Sequence, residues 1–340
     1  MLKTSLKLAA SATALIALAA TPTMSADYFA GKTITVQVPS GSGGTYHVYC
    51  QLVQRNIGKY IPGKPKTLIQ NRPGSGGAKS ASYMANVAPK DGSVIAMIAP
   101  GTITTPLVRK VKFDARKFQW LGAPAARAAA IWVWHTHGIK TFKDAQKKEV
   151  AIATSGFSSA GSVFPRLAIS LLGAKFKLIY GYKGGGAMNL SVEKGETMGR
   201  WNFYSGFTGV RPTWIPEGKI IPLIGTGPKH PKLAGVPHFT DLLKEGTTER
   251  KLYDLLGMNL EVGQAFYAPP GTPKKVVEIL RGGFKAMIAD PAFKANVLKR
   301  RVEFSPVSVP EIEKKIKNAF DAASPDVLKA LRNVYKKKKS

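Results

Sequence analysis

The chain has 340 residues, 44% of them hydrophobic and 21% charged, which is enough for two ordinary domains and too apolar for a disordered chain. Its net charge of +30 would suit nucleic acid, but the lysines and arginines are scattered instead of forming a stripe, and the chain opens on an export signal. A nucleic-acid partner is therefore not expected, whereas small anions would be drawn in by such a field.

Lys3 and Lys7 precede an apolar run over 8–20 that ends in Thr21-Pro22-Thr23-Met24-Ser25-Ala26. This is the pattern of a secretory signal peptide over 1–26, cleaved near Ala26, with Ala19 as the other small-residue site. The run is shorter than the roughly 20 apolar residues that a membrane span needs. A periplasmic location is expected. Cys50 is the only cysteine, so no internal disulfide can form, and its place in an apolar-patterned helix predicts a buried, inert thiol.

Residues 33–39 alternate like a strand, break into Ser40-Gly41-Ser42-Gly43-Gly44, and continue from 46 to 61 with helical spacing. A short strand over 66–70, the glycine turn 71–77 and a helix over 78–87 follow. A third strand over 93–98 leads into Ala99-Pro100-Gly101-Thr102. The second half repeats the theme, with strands predicted over 128–134, 150–154, 176–180 and 199–204. Its loops include Ser155-Gly156-Phe157-Ser158-Ser159-Ala160-Gly161-Ser162 and Tyr182-Lys183-Gly184-Gly185-Gly186. Strands over 219–224 and 262–268 and helices over 274–289, 291–299, 310–322 and 326–335 complete the reading; these late segments lack glycine loops and read as support. Strand, glycine loop and helix in recurring order predict an α/β fold with mostly parallel sheets, in which ligands collect at the carboxyl ends of strands.

A glycine loop that ends in a helix presents unpaired N–H groups to an anion. Such a terminus gives about 0.3–1 kcal/mol when exposed and up to about 2 when partly buried, whereas micromolar affinity needs roughly 8 kcal/mol. Several hydrogen bonds from both halves must therefore converge. The candidates are Ser40, Thr45 and Tyr46 with Gly43 and Gly44, Thr102 with Pro100 and Gly101, and Ser155, Ser158, Ser159 and Ser162. The hydroxyls serve equally well as helix caps. Lys183, beside Gly184, reads either as an anion contact or as a solvated loop lysine. Tyr46, Tyr49 and Tyr204 read as cleft walls or as core. The stretch 156–161 departs from the Gly-x-Ser-x-Gly elbow, and neither a Walker lysine nor a dinucleotide fingerprint is present, so no catalytic set and no cofactor is expected. His135 and His137 would share one strand face, but without further ligands no metal site is expected.

The ordered set Val38-Pro39 with Gly43-Gly44, Asn71-Arg72-Pro73-Gly74-Ser75-Gly76-Gly77, Ala88-Pro89-Lys90-Asp91-Gly92, Tyr182-Lys183-Gly184-Gly185, His230-Pro231 with Val236-Pro237, and Ala268-Pro269-Pro270-Gly271-Thr272-Pro273 resembles the solute-binding subunits of tripartite tricarboxylate transporters, the Bug family, across the whole mature chain. The resemblance implies a two-lobed type II periplasmic binding protein of the Venus-flytrap kind. One lobe would comprise 27–126 plus 228–340 and the other 127–227. It also implies a small carboxylate ligand, mono-, di- or tricarboxylate or aromatic, held between the first loop and 155–162 with 99–102 as a further wall. Delivery to a membrane permease of large and small subunits, by a monomer, would follow. A sensory partnership with a membrane histidine kinase and, third, an exported enzyme are the other readings. A branch of the family resembles Gly-Gly-x-Tyr-Asp-x-Tyr in the first loop, where this chain has His47. A histidine cannot offset a ligand's amino group as an acid would, which predicts a ligand without one.

Overall fold

The computed structural model describes residues 28–335; the signal peptide expected over 1–26 and the lysine run at 336–339 lie outside them. β1 (Thr33–Val38) leads into α1 (Thr45–Ile57), β2 (Lys66–Asn71) into α2 (Ala78–Asn86), and β3 (Val94–Met97) into the short α3 (Gly101–Thr104), followed by β4 (Gln119–Gly122). The pattern restarts with β5 (Ala129–Trp134), α4 (Phe142–Lys147), β6 (Val150–Ala153), α5 (Ala160–Leu172), β7 (Phe176–Ile179), α6 (Gly185–Glu193), β8 (Gly199–Phe203), α7 (Ser205–Thr208) and β9 (Ile220–Thr226). Then come α8 (Phe239–Leu242), α9 (Thr248–Glu261), β10 (Phe266–Ala268), α10 (Lys274–Ala289), α11 (Pro291–Lys299), α12 (Val309–Asp321) and α13 (Pro325–Tyr335).

Local chemistry fixes several of these ends. Thr141 and Asp144 form a reciprocal capping box on α4, and Ser308 and Glu311 form another on α12, each satisfying N–H groups that a helix start leaves unpaired. Cys50 is fully buried in α1, and burial pushes its thiol well above the usual range, as expected of an inert cysteine.

The strands form two five-stranded sheets of the same design. Their orders are β2-β1-β3-β10-β4 and β7-β6-β8-β5-β9. In each, the first three strands are parallel and the fourth is antiparallel to both neighbours. Both sheets are thus mixed by pairing, with four of five strands running one way in each.

The chain passes between the sheets after β4 and again before β10. A third link is made where Ala123 and Ala125 bridge to Val307 and Ser305. Residues 228–335 pack against both sheets. Phe239, Leu252, Tyr253 and Leu256, together with Val327 and Leu331 of α13, lie in the core of the second sheet. Phe284, Phe293 and Val302 pack under the first. α9 reaches both, since Met258 joins the core that holds Ile312 and Trp120.

Two local expectations are corrected. His135 and His137 sit on a 3-10 turn after β5, not along a strand, so the period-two argument for a shared face fails. The strand expected over 262–268 is reduced to β10, because Glu261 still belongs to α9. That helix carries its own cap, Thr247 Oγ1 accepting from Arg250 N, within a stretch too polar to stand out by hydrophobic spacing.

Candidate functional site

The carboxyl ends of β1, β6 and β8 face one another across a cleft of about 270 Å³, near the lower edge of the roughly 300–1,000 Å³ of small-molecule sites. Of the residues singled out in the sequence, Ser40, Gly44, Thr45, Tyr46, Ser155, Ser159, Lys183 and Gly184 line it. Gly44 and Gly184 are the N-caps of α1 and α6, and Ser159 is the N-cap of α5. Three helix starts therefore point their free N–H groups at one space. Thr45 is buried and Lys183 exposed at its mouth. Ser40 Oγ donates to Gly41 O at 2.9 Å and Ser159 Oγ to Gly156 O at 2.7 Å. Those two hydroxyls are already engaged in shaping their own loops.

The remaining candidates stand outside the lining. His47 is half-buried, with Nδ1 3.1 Å from Asn71 Nδ2; the amide donates, so Nδ1 accepts, and burial holds the imidazole pKa below its ordinary value. The ligand inference drawn from His47 is therefore withdrawn, because its side chain is spent on the neighbouring strand end. Thr102 is fully buried and donates to Ala99 O at 2.6 Å. Ser158 accepts from Arg109 Nη1 at 3.3 Å, and Ser162 pairs with Tyr180 OH at 3.2 Å. Pro100 and Gly101 begin α3, and Gly43 packs on Gly186, where a Cβ would lie 3.4 Å from its Cα.

Gly101 and Ser158, outside the lining, instead help to close the cleft together with Gly76 and Ser159 of its wall. A Cβ on Gly101 would come within 1.9 Å of Ser158 O, and one on Gly76 within 2.5 Å of Ser159 N. Only glycine lets the two backbones meet so closely. Across the opening, Gly41 N donates to Lys183 O at 2.9 Å. The loops of both lobes thus touch directly and leave the cleft between them. A larger hollow of about 390 Å³ beside His230 and His238 is lined by none of the predicted residues.

Sequence reasoning missed the turn Gly74–Gly77 as a wall, although its motif had been noted, and it placed the strand over 199–204 without assigning Arg200 or Asn202 to the cleft. Arg200 and Asn202 of β8 line the cleft and are 5% and 3% exposed. Arg200 Nη1 donates to Gly185 O and Asn189 Oδ1, both at 2.7 Å, and Nη2 to Asn202 Oδ1 at 3.2 Å. Burial pulls the guanidinium down to about 9, opposed by the nearby Tyr46 phenol, so it remains a cation at neutral pH. Behind the cleft, Arg127 is fully buried with its guanidinium carbon 5.7 Å from the Tyr46 ring. None of the lining residues is an aspartate or a glutamate. An available signal was an arginine and an asparagine at alternate positions of an otherwise apolar strand. The Tyr204 ring stacks on His230 at 4.4 Å, and Tyr49 donates to Glu303 O at 2.7 Å, which places both outside the cleft.

No family model matches the chain. It is 26% identical over 309 residues to a UPF0065 protein in the gbd 5′ region of Cupriavidus necator, covering 86% of each chain. Among solved structures it is similar to the periplasmic binding protein BugD (19% identity, 89% of this chain and 97% of that one, TM-score 0.72). It is also similar to MatC from Rhodopseudomonas palustris with bound malate (17% identity, 90% and 99%, TM-score 0.67) and to R. palustris Rpa4515 with adipate (21% identity, 86% and 96%, TM-score 0.66). Its structural neighbours are periplasmic binding proteins of the Bug and TctC kind, and the chain has their two-lobed α/β, type II fold.

Proposed function

We propose that this chain is a periplasmic solute-binding protein that captures a small carboxylate between its lobes and hands it to a membrane permease of large and small subunits. The observation that carries the reading is the cleft itself, where three helix starts and a buried guanidinium converge and no acidic side chain intervenes. Such a space suits an anion, because N–H dipoles and cations stabilise negative charge most where water is scarce. MatC with malate and Rpa4515 with adipate are neighbours that hold organic acids, which supports the same ligand class here.

The proposed site consists of Ser40, Gly44, Thr45, Tyr46, Ser155, Ser159, Lys183 and Gly184, extended by Arg200 and Asn202. The lobes are proposed to follow the sheets: the first takes β1 to β4, β10 and the helices on them, and the second takes β5 to β9 with α8, most of α9 and α13. Binding and release, not chemical conversion, is the proposed activity. A thermal-shift screen of the purified chain tests the reading, since a ligand specific to the folded state at 100 times its Kd adds about 2.7 kcal/mol. Stabilisation by at least one small carboxylate is expected. Response to sugars with silence across acids contradicts it.

A further inference from the structure

Arg200 has two features that its structural role leaves unexplained. The first is charge. Each of its acceptors is neutral: Gly185 O, Asn189 Oδ1, Asn202 Oδ1 and, at 3.3 Å, Trp201 O. A cation removed from water needs a counter-charge to offset its lost hydration, and none of the cleft's lining residues can supply one. The second is an open donor. The guanidinium only donates, so Asn202 must turn its Oδ1 toward it. That fixes Nδ2 on the other side, where it is buried without a partner. The Asn202 amide also lies close to the first lobe: a Cβ on Gly206 would meet Asn202 Oδ1 at 2.4 Å and both Asn202 Nδ2 and Thr45 Oγ1 at 2.6 Å. A buried donor without an acceptor in a native site points to an absent acceptor.

We infer that Arg200 and Asn202 are the specificity-determining end of the cleft: Arg200 supplies the counter-charge and Asn202 Nδ2 a free N–H to one carboxylate group. The site thereby takes compact carboxylates that carry no ammonium group. The inference rests on the reading of the cleft as a carboxylate site. Exclusion of amino acids follows from charge: an ammonium beside Arg200 would meet a like charge with no acidic side chain in the lining to offset it. An organic acid without the amine meets only donors. The alternative is that Arg200 merely fastens α6 to β8 through Gly185 and Asn189. That role would be insensitive to what the cleft holds.

The test titrates the purified chain with malate, adipate and benzoate, and with aspartate as the amine-bearing counterpart, by calorimetry and thermal shift. At least one acid is expected to bind, with aspartate at least tenfold weaker than malate. Arg200→Gln is expected to weaken the best acid by at least 30-fold. Asn202→Asp places a carboxylate beside the guanidinium. It is expected to raise the melting temperature of the ligand-free protein and to abolish stabilisation by the acid, an outcome that a fastening role for Arg200 does not produce. If Arg200→Gln fails to fold, Asn202→Asp alone decides. Acid binding that survives these substitutions undiminished, or aspartate binding as tightly as malate, overturns the inference while leaving the carboxylate reading intact. Silence of the wild-type chain toward every acid overturns both.

Discussion

β3 and β8 occupy the same place in their sheets, third from the parallel edge and beside the antiparallel strand, yet they are filled differently. β3 reads Val-Ile-Ala-Met, buried throughout. β8 reads Gly-Arg-Trp-Asn-Phe and is equally buried. Equal burial with unequal polarity separates scaffold from site. Apolar residues in a central strand repay burial by packing, whereas an arginine and an asparagine there cost free energy unless a partner arrives. The first lobe therefore contributes loops and helix starts to the cleft, and the second contributes charge as well.

The largest effect should come from putting a charge on the wrong side of the comparison. Ala96→Lys in β3, a fully buried position with no anion to receive it, should cost about 3–5 kcal/mol, as uncompensated buried charges do. A urea melt reads this as a large fall in midpoint. A near-normal midpoint would mean that the two strands are not so different.

Next in size is the seam that brings the lobes together. Gly101→Val would drive its Cβ into Ser158 O, and overpacking of about 1–3 kcal/mol should oppose closure and weaken ligand by roughly 5- to 150-fold. Small-angle scattering should show a more open form while the melting of the lobes is little changed. Unaltered affinity would remove the seam from the binding step.

A third effect separates the cleft's cation from an acid outside the cleft lining. Glu303 is mostly buried and packs 3.0 Å from His230 Nε2. Burial pushes its carboxyl up to about 7, while burial and Lys232 hold His230 down. His230 Nδ1 accepts from Lys232 N, so the imidazole is neutral with Nε2–H donating to the carboxyl. A folded carboxyl raised above its unfolded value keeps its proton between about pH 4.5 and 7. Stability should therefore be greatest near pH 5, fall as pH rises to 7, and level off above. A shift of that size is worth up to about 3 kcal/mol across the window, and Glu303→Gln should flatten the fall. Arg200, still protonated throughout that range, should add nothing. A slope that persists in Glu303→Gln would assign the titration elsewhere.

The smallest effect is expected at His47, which faces Asn71 and not the cleft. His47→Ala should change stability by less than about 0.5 kcal/mol, as substitutions away from core and site do, and ligand affinity by no more than about twofold. A larger loss of affinity would return it to the site.

The sequence made the frame legible because glycine loops, alternating strands and capped helices are local signals. Helix α10 (Lys274–Ala289) falls where Pro273 and its apolar spacing predict. Much of the cleft's lining was legible for the same reason: a loop that ends in a helix carries unpaired N–H groups in its own backbone. The rest was nonlocal. Whether Ser158 or Ser159 faces the cleft depends on which backbone of the other lobe approaches, and Gly101 against Ser158 is a contact across more than fifty residues. His47 was misread because its partner, Asn71, ends a different strand. Arg200 was passed over because an arginine in a strand looks like surface until its neighbours are known to bury it without an acid.

The most direct test of the carboxylate cleft is mass spectrometry of whatever small molecule the purified protein carries and releases on denaturation. The account predicts an organic acid with one or more carboxylates and no amino group. A sugar, an amine or a metal chelate in that position would contradict it.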